Sequence, residues 1–323
     1  MKAIVCPTYG PPEVLELREV PKPVLKNHEI LIKNHATTPV LGDCEVRGFN
    51  FPHLSSGLKL LMRLGFGFRG PRKGILGQQL AGVVEDVGMN VTKFKPGDEV
   101  FVCTGLGLGA YAEYKKISEN GIIALKPENM SFEEASTIPI GGSEALHFMK
   151  QAGIQRGQRV LINGAGGSIG IIAIQLAKHY GADVTAVDSE GKFEMLQSLG
   201  ANSCIDYKKE KFWEREETYD VIFDVVGVTP FAGAMKALNE TGIYLQGNGS
   251  VSRKNKSIAT ESNKIVFDNP ADYSIEQLNE LRSLIEDGTI KTFIDRIYSL
   301  VEMADVHRFL EAGGKRGNVV VSL

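Results

Sequence analysis

Residues 160–170 read VLINGAGGSIG, an apolar run that leads directly into a loop with four glycines. Apolar spacing before and after the loop predicts a strand over Arg159–Asn163 and a helix over about residues 168–180. Glycines at such a turn let backbone N–H groups approach a diphosphate, toward which the helix N-terminus directs partial positive charge. The segment therefore predicts a dinucleotide site, with a merely tight turn as the alternative. Gly164 permits the turn, Gly166 and Gly167 let amides approach the pyrophosphate, and Gly170 lets helix and strand pack closely. The predicted cofactor-binding residues of this segment are Gly164, Gly166, Gly167, Ser168, Ile169 and Gly170.

Strand and helix patterns alternate beyond this loop. Strands are predicted at Asp183–Asp188, near residues 203–206, at 221–224 and at 242–247, with helices at 192–199 and 231–238. Upstream, Ser131 and Glu134 form a capping-box pattern that opens a helix, which Pro139 is predicted to stop. Strands alternating with helices predict an α/β fold with a parallel, doubly wound sheet.

The residues that follow the second strand of this region bear on the choice of dinucleotide. Asp188 favours NAD, because a carboxylate there accepts hydrogen bonds from the adenosine ribose and repels a 2′-phosphate. Ser189 and Lys192 favour NADP instead, since a hydroxyl and an ammonium suit a 2′-phosphate. These residues leave the choice between the two cofactors open.

The two ends of the chain have a different pattern of apolar and turn-forming residues. Residues 1–125 contain short β-branched runs separated by proline and glycine turns, which predict a β-rich, barrel-like domain. Residues 270–323 return to mixed character, with helices predicted at 274–287 and 304–312 and a terminal strand. Residues 49–74 are apolar, glycine-rich and basic, and form either a flap over a site or a loop with one short packed helix.

Composition narrows the class of protein. A chain of 323 residues suggests two domains, and a net charge of −3 argues against nucleic acid as a partner. The four cysteines are too sparse for a disulfide framework, which suits a reducing compartment. The N-terminus lacks a signal-peptide layout, and no apolar run reaches the ~20 residues needed to span a bilayer. We therefore expect a cytoplasmic protein without a membrane partner.

Several motifs occur in an order that resembles a known superfamily. They include MKAIVCPTYGPPEVLELREVPKP, ILGQQLAGVVEDVG, KFKPGDEVF, GAYAEY, YDVIFDVVG and ADVHRFLEAGGKRGNVVV, together with the glycine loop. The chain resembles the medium-chain dehydrogenase/reductase superfamily, on its zinc-free quinone oxidoreductase (zeta-crystallin-like) branch. The resemblance implies a Rossmann domain at residues 126–269, inserted in a GroES-like (chaperonin-10-like) catalytic domain of residues 1–125 and 270–323. It also implies a homodimer and NADPH as cofactor, with NADH as the alternative.

The zinc ligands of the superfamily have no counterparts here. Zinc-binding members carry histidine at the position of Gln78, and Cys44 lies only near their first ligand. No cysteine occurs between residues 104 and 203, so the structural zinc cluster is missing too. Without a Lewis acid, a quinone or enone is the easier hydride acceptor, because attack gives a delocalised anion. We therefore predict NAD(P)H-dependent reduction of a quinone, enone or other small carbonyl, without zinc. The alternatives are a zinc-free alcohol dehydrogenase and a cofactor-binding protein with a structural role.

The resemblance also implies further site residues. Candidate catalytic residues are Asp43, Tyr111, whose alternative role is packing, and Glu144, whose alternative is to point outward. Further candidates for the cofactor, from strand ends and the terminal motif, are Val226, Gly227, Gly247, Asn248 and Asn318.

Overall fold

A computed structural model describes residues 1–51 and 56–323 of the chain. The strands are β1 (Lys2–Val5), β2 (Glu16–Glu19), β3 (Glu29–Thr37), β4 (Gln79–Val87), β5 (Glu99–Cys103), β6 (Tyr114–Ser118), β7 (Ile122–Leu125), β8 (Arg159–Asn163), β9 (Asp183–Asp188), β10 (Ser203–Asp206), β11 (Tyr219–Asp224), β12 (Leu238–Gln246), β13 (Ile265–Phe267), β14 (Ile294–Ser299) and β15 (Asn318–Ser322). The α-helices are α1 (Leu41–Gly48), α2 (Ser56–Phe66), α3 (Phe132–Ala135), α4 (Ile138–Ala152), α5 (Ser168–His179), α6 (Phe193–Ser198), α7 (Phe231–Ala237), α8 (Arg253–Glu261), α9 (Ile275–Glu286) and α10 (Met303–Ala312).

The chain forms two compact units. Unit 1 comprises residues 1–140, 273–282 and 294–323, and unit 2 comprises residues 141–272 and 283–293. Residues 126–140 thus pack with unit 1, although the predicted division begins the second domain at residue 126. The reason is hydrogen bonding, since the Ser136 hydroxyl lies 2.8 Å from that of Thr38 and the Ile140 N–H donates to Gln79 at 2.9 Å. The domain boundaries stay a prediction.

Unit 1 is built on a seven-stranded sheet in the order β14-β15-β3-β4-β5-β7, with β6 also paired to β3. The pairings are antiparallel except that between β14 and β15. Apolar residues that alternate along the strands build one core cluster, as period-two patterning predicts. Its buried members include Ile30, Ile32, Leu80, Val84, Val100 and Val102. The prediction of a β-rich N-terminal domain is confirmed.

Unit 2 contains a six-stranded sheet in the order β10-β9-β8-β11-β12-β13, and every pairing in it is parallel. Numbered within the sheet, this is the 3-2-1-4-5-6 order of a doubly wound dinucleotide-binding fold. Strands β8 and β11 are buried almost throughout, which explains their nearly continuous apolar sequences. The predicted fold class, a Rossmann sheet inserted in a β-rich chain, is confirmed.

The prediction that Pro139 stops a helix is wrong. The capping box is present, because Ser131 accepts from the Glu134 N–H at 3.2 Å, but α3 already ends at Ala135. Pro139 instead lies in the first turn of α4, where the missing N–H costs nothing because no intrahelical acceptor faces it.

Residues 49–74 include helix α2, as one of the two interpretations of this segment predicts. Residues 52–55, with His53 among them, lie outside the described part of the chain. Among the residues that are described, no helix combines the length and apolar character needed to cross a bilayer.

Candidate functional site: a glycine loop and a buried polar network

The carboxyl ends of four adjacent strands meet at one edge of the parallel sheet. Asn163 of β8 is in register with Val187 of β9 and with Asp224 of β11, which is in register with Gln246 of β12. The loops that follow these strands therefore emerge side by side. Ligands of doubly wound sheets bind at this edge, where the direction of chain winding reverses between β8 and β11.

The glycine loop lies at this edge. Gly164 has a φ of +83°, and a Cβ there would lie 2.5 Å from Val226 Cγ2. A Cβ on Gly170 would lie 2.5 Å from the Ala165 carbonyl oxygen, so α5 can pack on the loop only without a side chain at this position. Gly167, directly before α5, has 3.7 Å of clearance from the Gly164 oxygen. The first-turn amides of α5 and the open side of Gly167 fit the diphosphate of a dinucleotide.

Asp188 and Lys192 close onto this loop. The Gly166 N–H donates to Asp188 Oδ2 at 2.8 Å, and the Ser189 N–H donates to Oδ1 at 2.8 Å. Lys192 Nζ lies 2.8 Å from the same Oδ1, and both side chains are largely buried. The Gly166 amide, predicted to face the phosphates, is thus bonded to Asp188 in this structure. The Lys192 ammonium offsets the negative charge of Asp188. The repulsion of a 2′-phosphate by Asp188, which favoured NAD in the sequence, is therefore weakened.

Asp224 organises the neighbouring loop, although it was not among the predicted site residues. Its carboxylate accepts from the Asn163 side chain, the Gly227 N–H and the Thr229 N–H, each at 2.9 Å. The Tyr244 hydroxyl also donates to it, at 3.2 Å. Burial and the adjacent Asp224 raise the pKa of Tyr244, so the hydroxyl keeps the proton that it donates. The sequence signal that could have identified Asp224 is an acidic residue at the end of an apolar strand, with a glycine three positions later.

The Asp224-bound loop brings several predicted residues together. Gly227 has a φ of +73°, and a Cβ there would lie 2.2 Å from the Asn248 carbonyl oxygen. Val226 is 42% exposed, and Gly247 N donates to the Asp224 carbonyl at 2.9 Å. Val226, Gly227, Gly247 and Asn248 therefore form one wall at the sheet edge beside the glycine loop.

The other predicted positions are more scattered. Ser168 and Ile169 begin α5, and Ser189 follows β9, all at the same sheet edge. Glu144 is half-buried on α4. Asn318 belongs to unit 1, where it is fully buried at the start of β15.

Two of the candidate catalytic residues belong to a buried polar network in unit 1. The Tyr111 hydroxyl donates to Asp43 Oδ2 at 3.0 Å and lies 3.2 Å from His307 Nε2. Arg47 reaches the other ring nitrogen of His307 at 3.2 Å, and Gln78 Nε2 donates to Asp43 Oδ1 at 3.2 Å. Asp43, Tyr111 and His307 have no exposed surface. Neither Arg47 nor His307 was among the site residues predicted from the sequence.

The chemistry of the Arg47 guanidinium determines which atom donates each hydrogen bond of this network. A guanidinium has no acceptor, so His307 Nδ1 must accept from Arg47. The neutral ring then carries its proton on Nε2 and donates it to the Tyr111 oxygen, which leaves the Tyr111 proton for Asp43. Arg47 therefore sets the direction of hydrogen bonds as far as Asp43.

Burial shifts the acid–base properties of all three groups. It raises the pKa of Asp43 to about 6, although the hydrogen bonds from Val40, Gln78 and Tyr111 oppose the shift. It raises the pKa of Tyr111 well above its usual value, and burial together with Arg47 lowers the pKa of His307 to about 3. His307 is therefore neutral near pH 7, and Tyr111 keeps its proton.

We expect His307 to make the free energy of unfolding depend on pH. Because its folded pKa lies below the unfolded value of about 6.5, its contribution is complete above pH 6.5 and is lost as pH falls toward 3. At about 1.4 kcal/mol per pH unit, the loss between pH 7 and pH 5 is about 2 kcal/mol. Urea unfolding of the wild type and of His307→Gln at both pH values measures it, because only the wild type should show this loss.

His179→Gln is the matched control, since His179 is exposed on α5 and lies outside this network, and the variant should behave like the wild type. Asp43 titrates with the opposite sign, because its raised pKa favours folding at low pH, but it is present in all three proteins. Equal pH dependence in the wild type and His307→Gln would contradict the assigned neutral ring.

The residues present do not fit a zinc ion. Within residues 1–51 and 56–323, no three His, Cys, Asp or Glu side chains lie close enough together to hold a metal. Gln78 is hydrogen-bonded to Asp43, and burial raises the pKa of the Cys44 thiol to about 12.

Comparisons with known proteins agree with this geometry. Residues 26–127 match the alcohol dehydrogenase GroES-like domain family, and residues 199–321 match the zinc-binding dehydrogenase family. The chain is 33% identical to the 2-methylene-furan-3-one reductase of Solanum lycopersicum and 32% identical to the chloroplastic NADPH-dependent alkenal/one oxidoreductase of Arabidopsis thaliana. Each alignment covers 99% of this chain and 79% of the relative.

A solved structure extends the similarity to the whole fold. The quinone oxidoreductase from Coxiella burnetii superposes with a TM-score of 0.88 at 30% sequence identity, covering 100% of this chain and 99% of that one. The resemblance inferred from sequence motifs is confirmed. The chain therefore belongs to the medium-chain dehydrogenase/reductase superfamily, in its quinone oxidoreductase branch, and is an oxidoreductase.

Proposed function

We propose that the chain reduces a quinone or an enone with NADPH and without zinc. The observation that carries this proposal is the glycine loop with Lys192 at the edge of the parallel sheet, 2.8 Å from Asp188. The names of the relatives, an alkenal/one oxidoreductase and a quinone oxidoreductase, support the acceptor class. A homodimer and a cytoplasmic location remain predictions from the sequence.

The chain's own residues have distinct parts in this reaction. Bound NADPH would supply the hydride. The glycine loop and the N-terminus of α5 would hold its phosphates, and the Lys192 ammonium would bind the 2′-phosphate. Glu144 is proposed to attract the positively charged nicotinamide ring of the oxidised cofactor, NADP⁺. Since hydride addition to a conjugated carbonyl gives a delocalised anion, orienting the acceptor and excluding water suffice without a metal.

Asp43 and Tyr111 have indirect roles in this proposal. Neither has exposed surface, so neither is placed to touch an acceptor directly. Both are positioning residues, which hold the half-buried Gln78 amide through the hydrogen bond from its Nε2.

Turnover assays test the proposed function. Oxidation of NADPH is followed by absorbance with substituted 1,4-quinones and with short enones, using enzyme pretreated with a strong chelator. We expect turnover that chelation leaves unchanged and that exceeds oxidation of short alcohols by NADP⁺. Lack of turnover with every acceptor, or activity that zinc restores after chelation, would refute the proposal, and faster alcohol oxidation would favour an alcohol dehydrogenase.

Lys192→Gln should raise the Kd for NADPH about tenfold, because a charge-assisted hydrogen bond to the 2′-phosphate is lost and Asp188 is left uncompensated. The Kd for NADH, which lacks that phosphate, should change much less. Titration of cofactor fluorescence measures both constants. Lys236→Gln, an exposed lysine on α7, is the control, and an equal loss of affinity for both cofactors would show that Lys192 does not read the phosphate.

A further inference from the structure

Helix α2 has apolar residues on its inner face and on its outer face. Met62 and Phe66 pack against the core cluster of unit 1 that includes Cys44, Val46 and Leu76. On the same face, the Arg63 guanidinium lies 4.2 Å from the Phe49 ring centroid and donates to the Phe68 carbonyl. A basic side chain and two apolar ones therefore face the protein.

The opposite face of α2 is apolar and exposed. Leu60 is 62% exposed, Leu61 61% and Leu64 52%, and Phe68 directly beyond the helix is 58% exposed. A helix on a protein surface usually turns charged or polar residues outward. Single exposed leucines are ordinary, but a contiguous group indicates a surface that binds something.

The charged residues of the same segment are all basic. Residues 46–84 contain six of the 36 lysines and arginines and none of the 39 acidic residues. Arg69, Arg72 and Lys73 follow Phe68 closely, and all three are exposed. The leucine face therefore has a cationic border, although the whole chain has a net charge of −3.

We propose that α2 and residues 67–73 bind the surface of an anionic lipid bilayer. The leucines and Phe68 would enter the boundary between headgroups and acyl chains, and the three cations would bind lipid phosphates. A helix that lies in the plane of the surface needs no spanning length. The expectation of no membrane partner rested on spanning length alone, so it does not address this mode of binding.

The charge of this segment favours a bilayer over a second copy of the chain as the binding partner. A two-fold dimer through α2 would bring two basic segments into one interface, where like charges oppose association. An anionic bilayer can bury the apolar face of α2 and can also pair its lipid phosphates with the basic residues at the border. An acidic protein partner would satisfy the border, and the experiment separates it from a bilayer.

Sedimentation of the full chain with vesicles tests the proposal. We expect binding to vesicles of phosphatidylglycerol and phosphatidylcholine in equal parts, little binding to phosphatidylcholine alone, and weaker binding as salt rises. Equal binding to both vesicle types would overturn the assignment to anionic headgroups. Absence of binding to either would overturn the membrane proposal and favour an acidic protein partner.

Variants locate the binding surface. Leu60→Gln/Leu61→Gln/Leu64→Gln keeps good helix formers and should reduce vesicle binding to background. The matched control, Val24→Gln/Met89→Gln/Val301→Gln, replaces apolar residues at least as exposed elsewhere and should bind like the wild type.

Charge variants test the border separately. Arg69→Gln/Arg72→Gln should lower the partition coefficient about 25-fold, since each cation near an anionic surface contributes about fivefold. Lys236→Gln/Lys254→Gln, two exposed lysines of unit 2, should have no effect. Melting temperatures and size-exclusion profiles confirm folding. A wild-type dimer that the leucine variant turns into a monomer would overturn the proposal in favour of a second copy.

Discussion

Gly170→Ala is expected to lose dinucleotide binding and to lower the free energy of unfolding by about 3 kcal/mol. The added Cβ would lie 2.5 Å from the Ala165 carbonyl oxygen and 2.6 Å from its Cα. These are backbone atoms, so no rotamer change relieves the overlap, and α5 must move away from the glycine loop. Urea unfolding measures the loss of stability, and fluorescence titration with NADPH measures the loss of binding.

Gly167→Ala separates binding from folding. Its Cβ has 3.7 Å of clearance, so the free energy of unfolding should fall by less than about 1 kcal/mol, the cost of alanine at the residue before a helix. A diphosphate at the first turn of α5 would meet the new methyl group. An overlap that costs about 3 kcal/mol raises the Kd for NADPH about 100-fold.

Gly191→Ala provides the control, because nothing lies within 4 Å of a Cβ at that position. It should change neither stability nor affinity appreciably. Unchanged NADPH affinity in Gly167→Ala would show that the diphosphate does not approach this turn, and the proposed cofactor site would then be wrong.

Asp224→Ala is expected to lower the free energy of unfolding by about 4 kcal/mol. The fully buried carboxylate accepts from two backbone amides, Gly227 and Thr229, and from the side chains of Asn163 and Tyr244. Alanine leaves these donors without an acceptor, and each unsatisfied buried donor costs about 1–3 kcal/mol before relaxation. Urea or thermal unfolding measures the change.

Asp183→Ala is the matched control, since Asp183 is exposed at the start of β9 in the same sheet and should cost less than about 0.5 kcal/mol. Asp224→Asn should fall between the two, because the amide keeps one acceptor but turns a donor toward other donors. Similar stability of Asp224→Ala and Asp183→Ala would show that the hydrogen bonds of Asp224 contribute little.

The nucleotide-binding half was predictable because its signals are local. The apolar run over Arg159–Asn163, the glycines and the apolar helix after them are neighbours in sequence, and the structure has the strand and a helix at Ser168–His179. Helix α4 was missed because Pro139 was interpreted as a stop, although proline is equally suited to the first turn of a helix. Proline can therefore indicate either the end of one helix or the beginning of the next, and only the observed position of the helix decides between the two.

The sequence by itself determined the parallel sheet and the glycine turn, since both follow from periodicity and glycine spacing. Its motifs also carried the resemblance to the superfamily. Only the tertiary structure decided that Arg47 and His307, 260 residues apart, set the hydrogen bonds of Tyr111 and Asp43. It also decided that Lys192 bonds to Asp188 and that the leucines of α2 face outward. Such contacts depend on which face of an element is buried and against what, and spacing along the chain does not contain that information.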